Sequence, residues 1–378
     1  MNTKLFSSLA GALALAAMSS VALAQTVEVK LGFAGPLTGA QAQYGKDMQN
    51  GIVLAIEEMN ATNPKIGGKN VKFVLQSEDD QADPRTGAQV AQKLVDSGIK
   101  GMLGHFNSGT TIPASAIYNK AGIPQVAMAT APEYTQQGFK NTFRMMTSDT
   151  QQGAVIGAYA VKGLSKKKIV VIDDRTAYGQ GLADEFEKAA KAAGGTIVMR
   201  EFTNDKAQDF KSILTKVKAK NPDAIFFGGV EAQSAAIVKQ MKELKINAVF
   251  MSGETTKTDN FLKIAGVAAE GSVASLAGLP LDQMPGGNAY VAKYKKRFNE
   301  NVQTYSPYAY DGAMALMAAM KRADSIEPAK YLPALARTTM SGVTSSKIAY
   351  DAKGDLKDGG ITVYQVKQGA WVPLPALK

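Results

Sequence analysis

The sequence predicts an α/β protein built as two doubly wound parallel-sheet lobes joined by a multi-strand hinge. Short β-branched or apolar runs alternate with longer stretches of helical periodicity, the pattern of parallel strands covered by helices. The alternation starts a second time after Asp149. A length of 378 residues also exceeds what one hydrophobic core ordinarily serves and suits two.

In chain order, residues 27–34 alternate as a strand, and residues 46–60 place Met48, Ile52, Ala55 and Met59 at helical spacing. Residues 71–75 form a second strand. A helix follows from Asp83, because Pro84 suits the first helical position and aspartate suits the cap before it. Residues 101–104 read as a buried strand, a helix begins near Thr110, and another strand covers 124–127. In the second series, helix 151–161 precedes a strand at 168–173 (KIVVID), bounded by turn residues. Helices at 181–193, 210–219 and 232–244 then alternate with strands at 196–201, 224–228 and 248–251. Residues 286–298 and 308–323 are helical, yet only short strands near 347–350 and 361–366 remain. These do not make a third domain, so the chain returns to lobe one and finishes in lobe two. The expected division is 25–147 with 278–355 for lobe one, and 148–277 with 356–378 for lobe two.

The first residues read as an export signal rather than as fold. Lys4 gives a basic start, residues 5–17 a short apolar run, and Ala22-Leu23-Ala24 a cleavage site ahead of Gln25. The signal peptide is expected to span 1–24, leaving a soluble periplasmic protein with no stable membrane insertion. There are no cysteines, which excludes disulfides, thiolate metal sites, a cysteine nucleophile and a lipid anchor on an N-terminal cysteine. The formal charge of +10 is spread along the chain, with Lys166-Lys167-Lys168 as its one run, and no nucleic-acid signature accompanies it.

Open parallel sheets bind ligands at the carboxyl ends of their strands, which draws attention to four loops. The loop 36–45 is small and flexible and closes on Tyr44-Gly45. The loop 105–111, with Ser108, Thr110 and Thr111, offers hydroxyls and free N–H groups, a means of holding a carboxylate without a charged partner. Ala129-Thr130-Ala131-Pro132-Glu133 presents a further hydroxyl. Met251-Ser252-Gly253-Glu254-Thr255-Thr256 places a carboxylate at a strand end in lobe two, suited to an ammonium group. Helix capping serves each hydroxyl equally well, and Glu231 rivals Glu254, although its position just before a helix suits charge complementation there.

Catalytic constellations are thin. His105 is the sole histidine, so a His-based metal site is excluded and a triad would have to use this residue. The acidic run 78–83 lacks the glycine and terminal glutamate of a calcium loop. The spacing of Gly179, Gly181 and Ala183 matches a dinucleotide loop but falls several residues past its strand. No catalytic residue, metal or cofactor is expected, and an exported hydrolase is the enzyme alternative.

The set Asp79-Asp80 with Asp83-Pro84, Gly104-His105 with Ser108 and Pro113-Ala114-Ser115, Ala129-Thr130-Ala131-Pro132-Glu133, Tyr178-Gly179 with Gly181-Leu182-Ala183, and Lys353-Gly354-Asp355-Leu356-Lys357 resembles the leucine/isoleucine/valine-binding proteins, the periplasmic receptors of branched-chain amino-acid ABC transporters. The resemblance runs over the whole mature chain. It implies a type I periplasmic binding protein that closes like a flytrap, acts as a monomer and hands its ligand to a permease–ATPase complex. It implies Ser108 and Thr130 as carboxylate ligands assisted by the backbone of Met128 or Ala129, Glu254 as partner of the ammonium, and Tyr44, Phe106, Tyr178 and Tyr308 as enclosing contacts. Relatives often carry a disulfide between the positions of Ala82 and Asn107, and both cysteines are missing here. Met128 stands where a smaller residue is usual and Val230 where an aromatic is frequent. Related receptors take amides, urea, γ-aminobutyrate or aromatic acids, or serve sensors instead of transporters.

Overall fold

The computed structural model describes residues 26–377, so the expected signal peptide, 1–24, lies outside the described residues. The chain opens with β1 (Val27–Gly35), α1 (Ala42–Ala61), β2 (Lys65–Ile66), β3 (Lys69–Asp79), α2 (Pro84–Asp96), β4 (Gly101–Gly104), α3 (Ser108–Lys120), β5 (Gln125–Ala127), the one-turn α4 (Glu133–Gln136) and β6 (Thr142–Arg144). These strands form one six-stranded sheet in the order β2-β3-β1-β4-β5-β6. All pairings are parallel except the β2–β3 hairpin. Alternation in β1 separates two cores. Val29, Leu31 and Phe33 pack with Met48 and Ile52 of α1, while Ala34 joins Leu94 and Tyr118 of α2 and α3 on the other face. The start of α2 is fixed as its sequence requires, with Asp83 accepting the Arg85 and Thr86 N–H groups at 3.1 and 2.8 Å ahead of Pro84.

The second series comprises α5 (Asp149–Ala158), which runs on through a π turn (Tyr159–Gly163), then β7 (Lys168–Asp173), α6 (Ala177–Ala192), β8 (Thr196–Phe202), α7 (Lys211–Lys220), β9 (Ala224–Gly228), α8 (Glu231–Glu243), β10 (Val249–Ser252), α9 (Asp259–Ala265) and β11 (Val273–Ala277). The chain then crosses back. Helices α10 (Gly287–Phe298), α11 (Ser306–Arg322) and α12 (Pro328–Ala336) and the hairpin β12 (Thr339–Met340) and β13 (Ile348–Ala349) follow, and buried residues of α10, α11 and α12 join the core of the first sheet. A last crossing brings β14 (Ile361–Lys367) and β15 (Ala370–Pro373) onto the second sheet, whose order is β15-β14-β11-β10-β9-β7-β8. The two sheets are therefore linked at three places: after β6, after β11 and after β13. These crossings form the hinge.

The second sheet departs from the all-parallel expectation. β14 pairs antiparallel with β11, and β15 pairs antiparallel with β14. The cause is the return path: β14 enters from the other lobe, and Gln368 and Gly369, both at positive φ, turn it into a tight hairpin. Among the described residues no helix is long and apolar enough to cross a membrane.

Candidate functional site

The carboxyl ends of both sets of parallel strands face a small cavity lined from both lobes, where open parallel sheets bind their ligands. One wall comes from loops after β4, β5 and β6. Ser108 opens α3, and its hydroxyl accepts the Ala131 N–H at 3.2 Å. That bond ties the loop after β5 to the helix start, so Ser108 and Thr130 both line the cavity beside Phe106 and Met128. The Thr130 carbonyl accepts the Asp149 N–H at 2.8 Å, which joins this wall to the first turn of α5.

Arg144 braces the same loop from behind. It is fully buried, donating Nε to Asp355 at 2.7 Å, Nη2 to the Thr135 hydroxyl at 3.0 Å and Nη1 to the Ala129 carbonyl. A guanidinium carries five donors in a fixed fork, so one residue can hold strand, loop and hinge together.

The other wall is built on the second sheet. Thr176 caps α6 by accepting the Gly179 N–H at 2.9 Å. A Cβ on Gly179 would lie 2.1 Å from Asp174 Oδ1 and 2.5 Å from the Gly228 carbonyl. Glycine thus lets α6 rest on the end of β9 and swings Tyr178 over the cavity. The glycine spacing noted in the sequence has this packing role. Tyr178 Oη stands 3.3 Å from Thr255 Oγ1, which itself donates to the Gly229 carbonyl at 2.8 Å.

Glu254 begins a short turn (Glu254–Thr256) directly after β10. Its carboxylate accepts from Gln152 Nε2 at 2.5 Å, and Gln152 in turn accepts from the Ser275 hydroxyl at 2.7 Å. Burial raises the Glu254 carboxyl above its ordinary range. Close by, Asp149 is fully buried, and neither of its carboxylate oxygens has a hydrogen-bond partner. Burial, and then the charge of Glu254, push Asp149 well up, against a smaller opposing pull from Thr130, Arg144 and Gln152. A desolvated acid in the cavity wall with a second buried acid close to it demands a cation there, or a proton in its absence.

Of the residues expected at the site, Phe106, Ser108, Met128, Thr130, Tyr178 and Glu254 line the cavity. Tyr44, Ala129 and Tyr308 do not. Tyr44 packs its ring 5.1 Å from that of Phe106 and donates its hydroxyl across the lobes to the Thr255 carbonyl at 3.1 Å. Ala129 spends its carbonyl on Arg144. Tyr308 donates to the Ala277 carbonyl at 2.5 Å, at the edge of a crossing segment. Glu231 sits at the first position of α8 and is taken up by Gln43, Thr258 and Asn260, away from the cavity lining.

Sequence reasoning missed Met146 and Tyr305, which also line the cavity with Asn107 and Thr255 of the singled-out loops and with Val230. Asn107 and Thr255 neighbour residues that were identified. Tyr305 is placed by a distant contact: buried Asp47 of α1 accepts the Tyr305 and Ser306 N–H groups at 2.7 and 2.9 Å and so fixes the start of α11. His105 is held by Asp80 at 2.7 Å and Tyr118 at 3.1 Å, fully buried. The acidic run is spent on turns and caps, and among the described residues no cluster fits a metal.

Two hinged sheets closing strand-end to strand-end on a cavity, with the hydroxyls of Ser108 and Thr130 in one wall and the carboxylate of Glu254 in the other, define a two-lobed small-ligand binding protein. The chain belongs to the periplasmic binding protein family, whose model matches residues 28–370. It is 35% identical over 359 residues to a Leu/Ile/Val-binding protein homolog of Brucella suis, covering 94% of this chain and 95% of that one. Among solved structures it resembles a leucine binding protein of Thermotoga maritima (TM-score 0.84, 26% identity, 92% of this chain and 98% of that chain). It also resembles a branched-chain amino acid transporter substrate binding protein of Streptococcus pneumoniae in complex with isoleucine (TM-score 0.81, 26% identity, 92% and 100%).

Proposed function

We propose that the protein is a periplasmic receptor that encloses a small aliphatic amino acid, with a branched side chain, and delivers it to an ABC transporter permease. The observation that carries this reading is the polarity of the cavity. Hydroxyls of Ser108 and Thr130 beside the N-terminus of α3 suit a carboxylate, while Glu254, with Asp149 behind it, suits an ammonium. Between them Phe106, Met128, Met146 and Val230 offer an apolar enclosure for the side chain. The relatives from Brucella suis and Thermotoga maritima, a Leu/Ile/Val-binding protein homolog and a leucine binding protein, support the same ligand class.

The mechanism is hinge closure. The ligand carboxylate settles on lobe one (25–147 with 278–355), and lobe two (148–277 with 356–378) brings Glu254 and Tyr178 over the amine end. Burying either charge alone costs several kcal/mol, so closure becomes favourable only when both ends are met. Micromolar affinity needs about −8 kcal/mol net, within reach of a few charge-assisted hydrogen bonds and the apolar contacts. In this reading the cavity binds without turnover, and His105, held by Asp80 and Tyr118, takes no part in its lining. The protein acts exported, as a monomer, with a permease–ATPase complex as partner.

Calorimetric titration with leucine, isoleucine and valine tests the assignment, alongside γ-aminobutyrate, urea and benzoate. Binding of the three branched ligands with one site per chain is expected. Preference for benzoate or urea over all three would remove it.

A further inference from the structure

A second cavity lies between the lobes, apart from the one described above, with about 610 Å³ of atom-free space that is partly open to solvent. Its floor is apolar: Leu276 from β11, Leu281 and Met284 from the crossing after it, and Val302 ahead of α11. Leu279, 46% exposed, stands at its rim. Its second-lobe wall carries Lys257, whose ammonium lies 4.8 Å from the centre of the Tyr364 ring. Gln303 and Thr304 face it from the first lobe.

Lys257 is mostly sheltered, and among the described residues no carboxylate forms a salt bridge with it. Burial holds its ammonium below the ordinary lysine value, and Asp259, itself exposed, counters this only in part. Asp259 also lines the crevice, as a carboxylate that forms no salt bridge with Lys257. A largely sheltered cation over an apolar floor, beside an aromatic face, is complementary to an anion that carries a hydrocarbon tail.

We propose that this interlobe crevice binds a small monoanion with a short aliphatic chain, its carboxylate on Lys257 and its tail on Leu276, Met284 and Val302, and that such binding favours the closed state. The coupling follows from position. The crevice has walls on both lobes and therefore its full lining only when they meet. Lys257 also closes the Glu254–Thr256 turn through its own N–H, which donates to the Glu254 carbonyl at 3.1 Å. An occupant that prefers the closed state tightens the central ligand by the same factor that the central ligand tightens it. The coupling rests on the amino-acid reading of the central cavity; the binding of the anion does not.

Hexanoate is the probe. Titrated by calorimetry into the leucine-saturated protein at constant ionic strength, it should bind, and it should lower the leucine Kd by about fivefold or more. Both effects should vanish in Lys257→Gln and weaken in Leu279→Glu, which alters an exposed rim residue. Unchanged hexanoate binding in Lys257→Gln, or no binding to the wild type, overturns the proposal. Hexanoate that binds but only raises the leucine Kd is a competitor at the central cavity, and that too overturns it. Absence of leucine binding would refute the central-site reading instead, and hexanoate titrated into the ligand-free protein and into Lys257→Gln would still decide whether the crevice binds.

Discussion

Replacing Glu254 by glutamine removes a charge and little else. The side chain is buried, and its carboxylate has one neutral donor, Gln152 Nε2 at 2.5 Å, which an amide oxygen can still satisfy. In a complex the ligand ammonium would lose its acidic partner in a site shut off from water. Truncating one member of a buried charge pair costs about 2–5 kcal/mol. Asp149, unpartnered and close enough for its carboxyl to be raised by the charge of Glu254, remains to compensate, so the lower end applies. A loss of about 2–3 kcal/mol is a Kd weakened roughly 30- to 150-fold. Calorimetric titration with leucine measures it. The ligand-free protein should melt no lower than the wild type, because one of two mutually repelling buried acids has been neutralised. A leucine Kd within about threefold of wild type would show that Glu254 does not hold the amine. A lower melting temperature with weak binding would mean that the carboxylate serves the fold.

The same two acids make the ligand-free protein sensitive to pH. Their folded values are raised above the ordinary 3.8 of aspartate and 4.5 of glutamate, so the folded state holds protons that the unfolded state has released. Ligand-free stability therefore falls as pH rises from the ordinary carboxylate range through the raised values, and the ammonium reverses this. The melting shift produced by leucine should be larger at about pH 7.5 than at about pH 5; an equal shift contradicts the coupling. Binding should also release protons, seen as a dependence of calorimetric heat on buffer ionisation enthalpy. Gly179→Ala forces a Cβ to within 2.1 Å of Asp174 Oδ1, so urea unfolding should show a loss of about 1–3 kcal/mol, with weaker leucine binding as Tyr178 shifts; unchanged stability refutes the packing role. Arg144→Met strands Asp355 and frees the 129–131 loop, and should cost roughly 3 kcal/mol or more together with affinity; a variant as stable as wild type would show that the brace is dispensable.

Strands whose burial is written locally were legible to the residue. Gly101–Gly104, Lys168–Asp173 and Ala224–Gly228 are apolar runs bounded by glycine, lysine or aspartate. Val273–Ala277 was not read, because Val-Ala-Ser-Leu-Ala has little β-branched character, and pairing with β10 and β14 makes it a strand. Thr142–Arg144 escaped for a similar reason. An arginine suggests exposure, and its buried state depends on Asp355, 211 residues away. The helix holding Tyr178 begins at Ala177 rather than near Gly181, since two glycines hid a start that Thr176 caps.

In the site, Ser108, Thr130 and Glu254 could be found because strand-end loops are where parallel sheets bind. Tyr305 and Met146 could not. Met146 lies on the first passage of the chain between the lobes and Tyr305 just before α11, reached after the second, and only the fold says where those stretches run.

The most direct test is a crystal structure of the protein with leucine. The account predicts the ligand carboxylate within hydrogen-bonding distance of the Ser108 and Thr130 hydroxyls, and the ammonium on Glu254 with Asp149 beside it. A ligand bound elsewhere, or with its amine on Ser108 and Thr130, would contradict it.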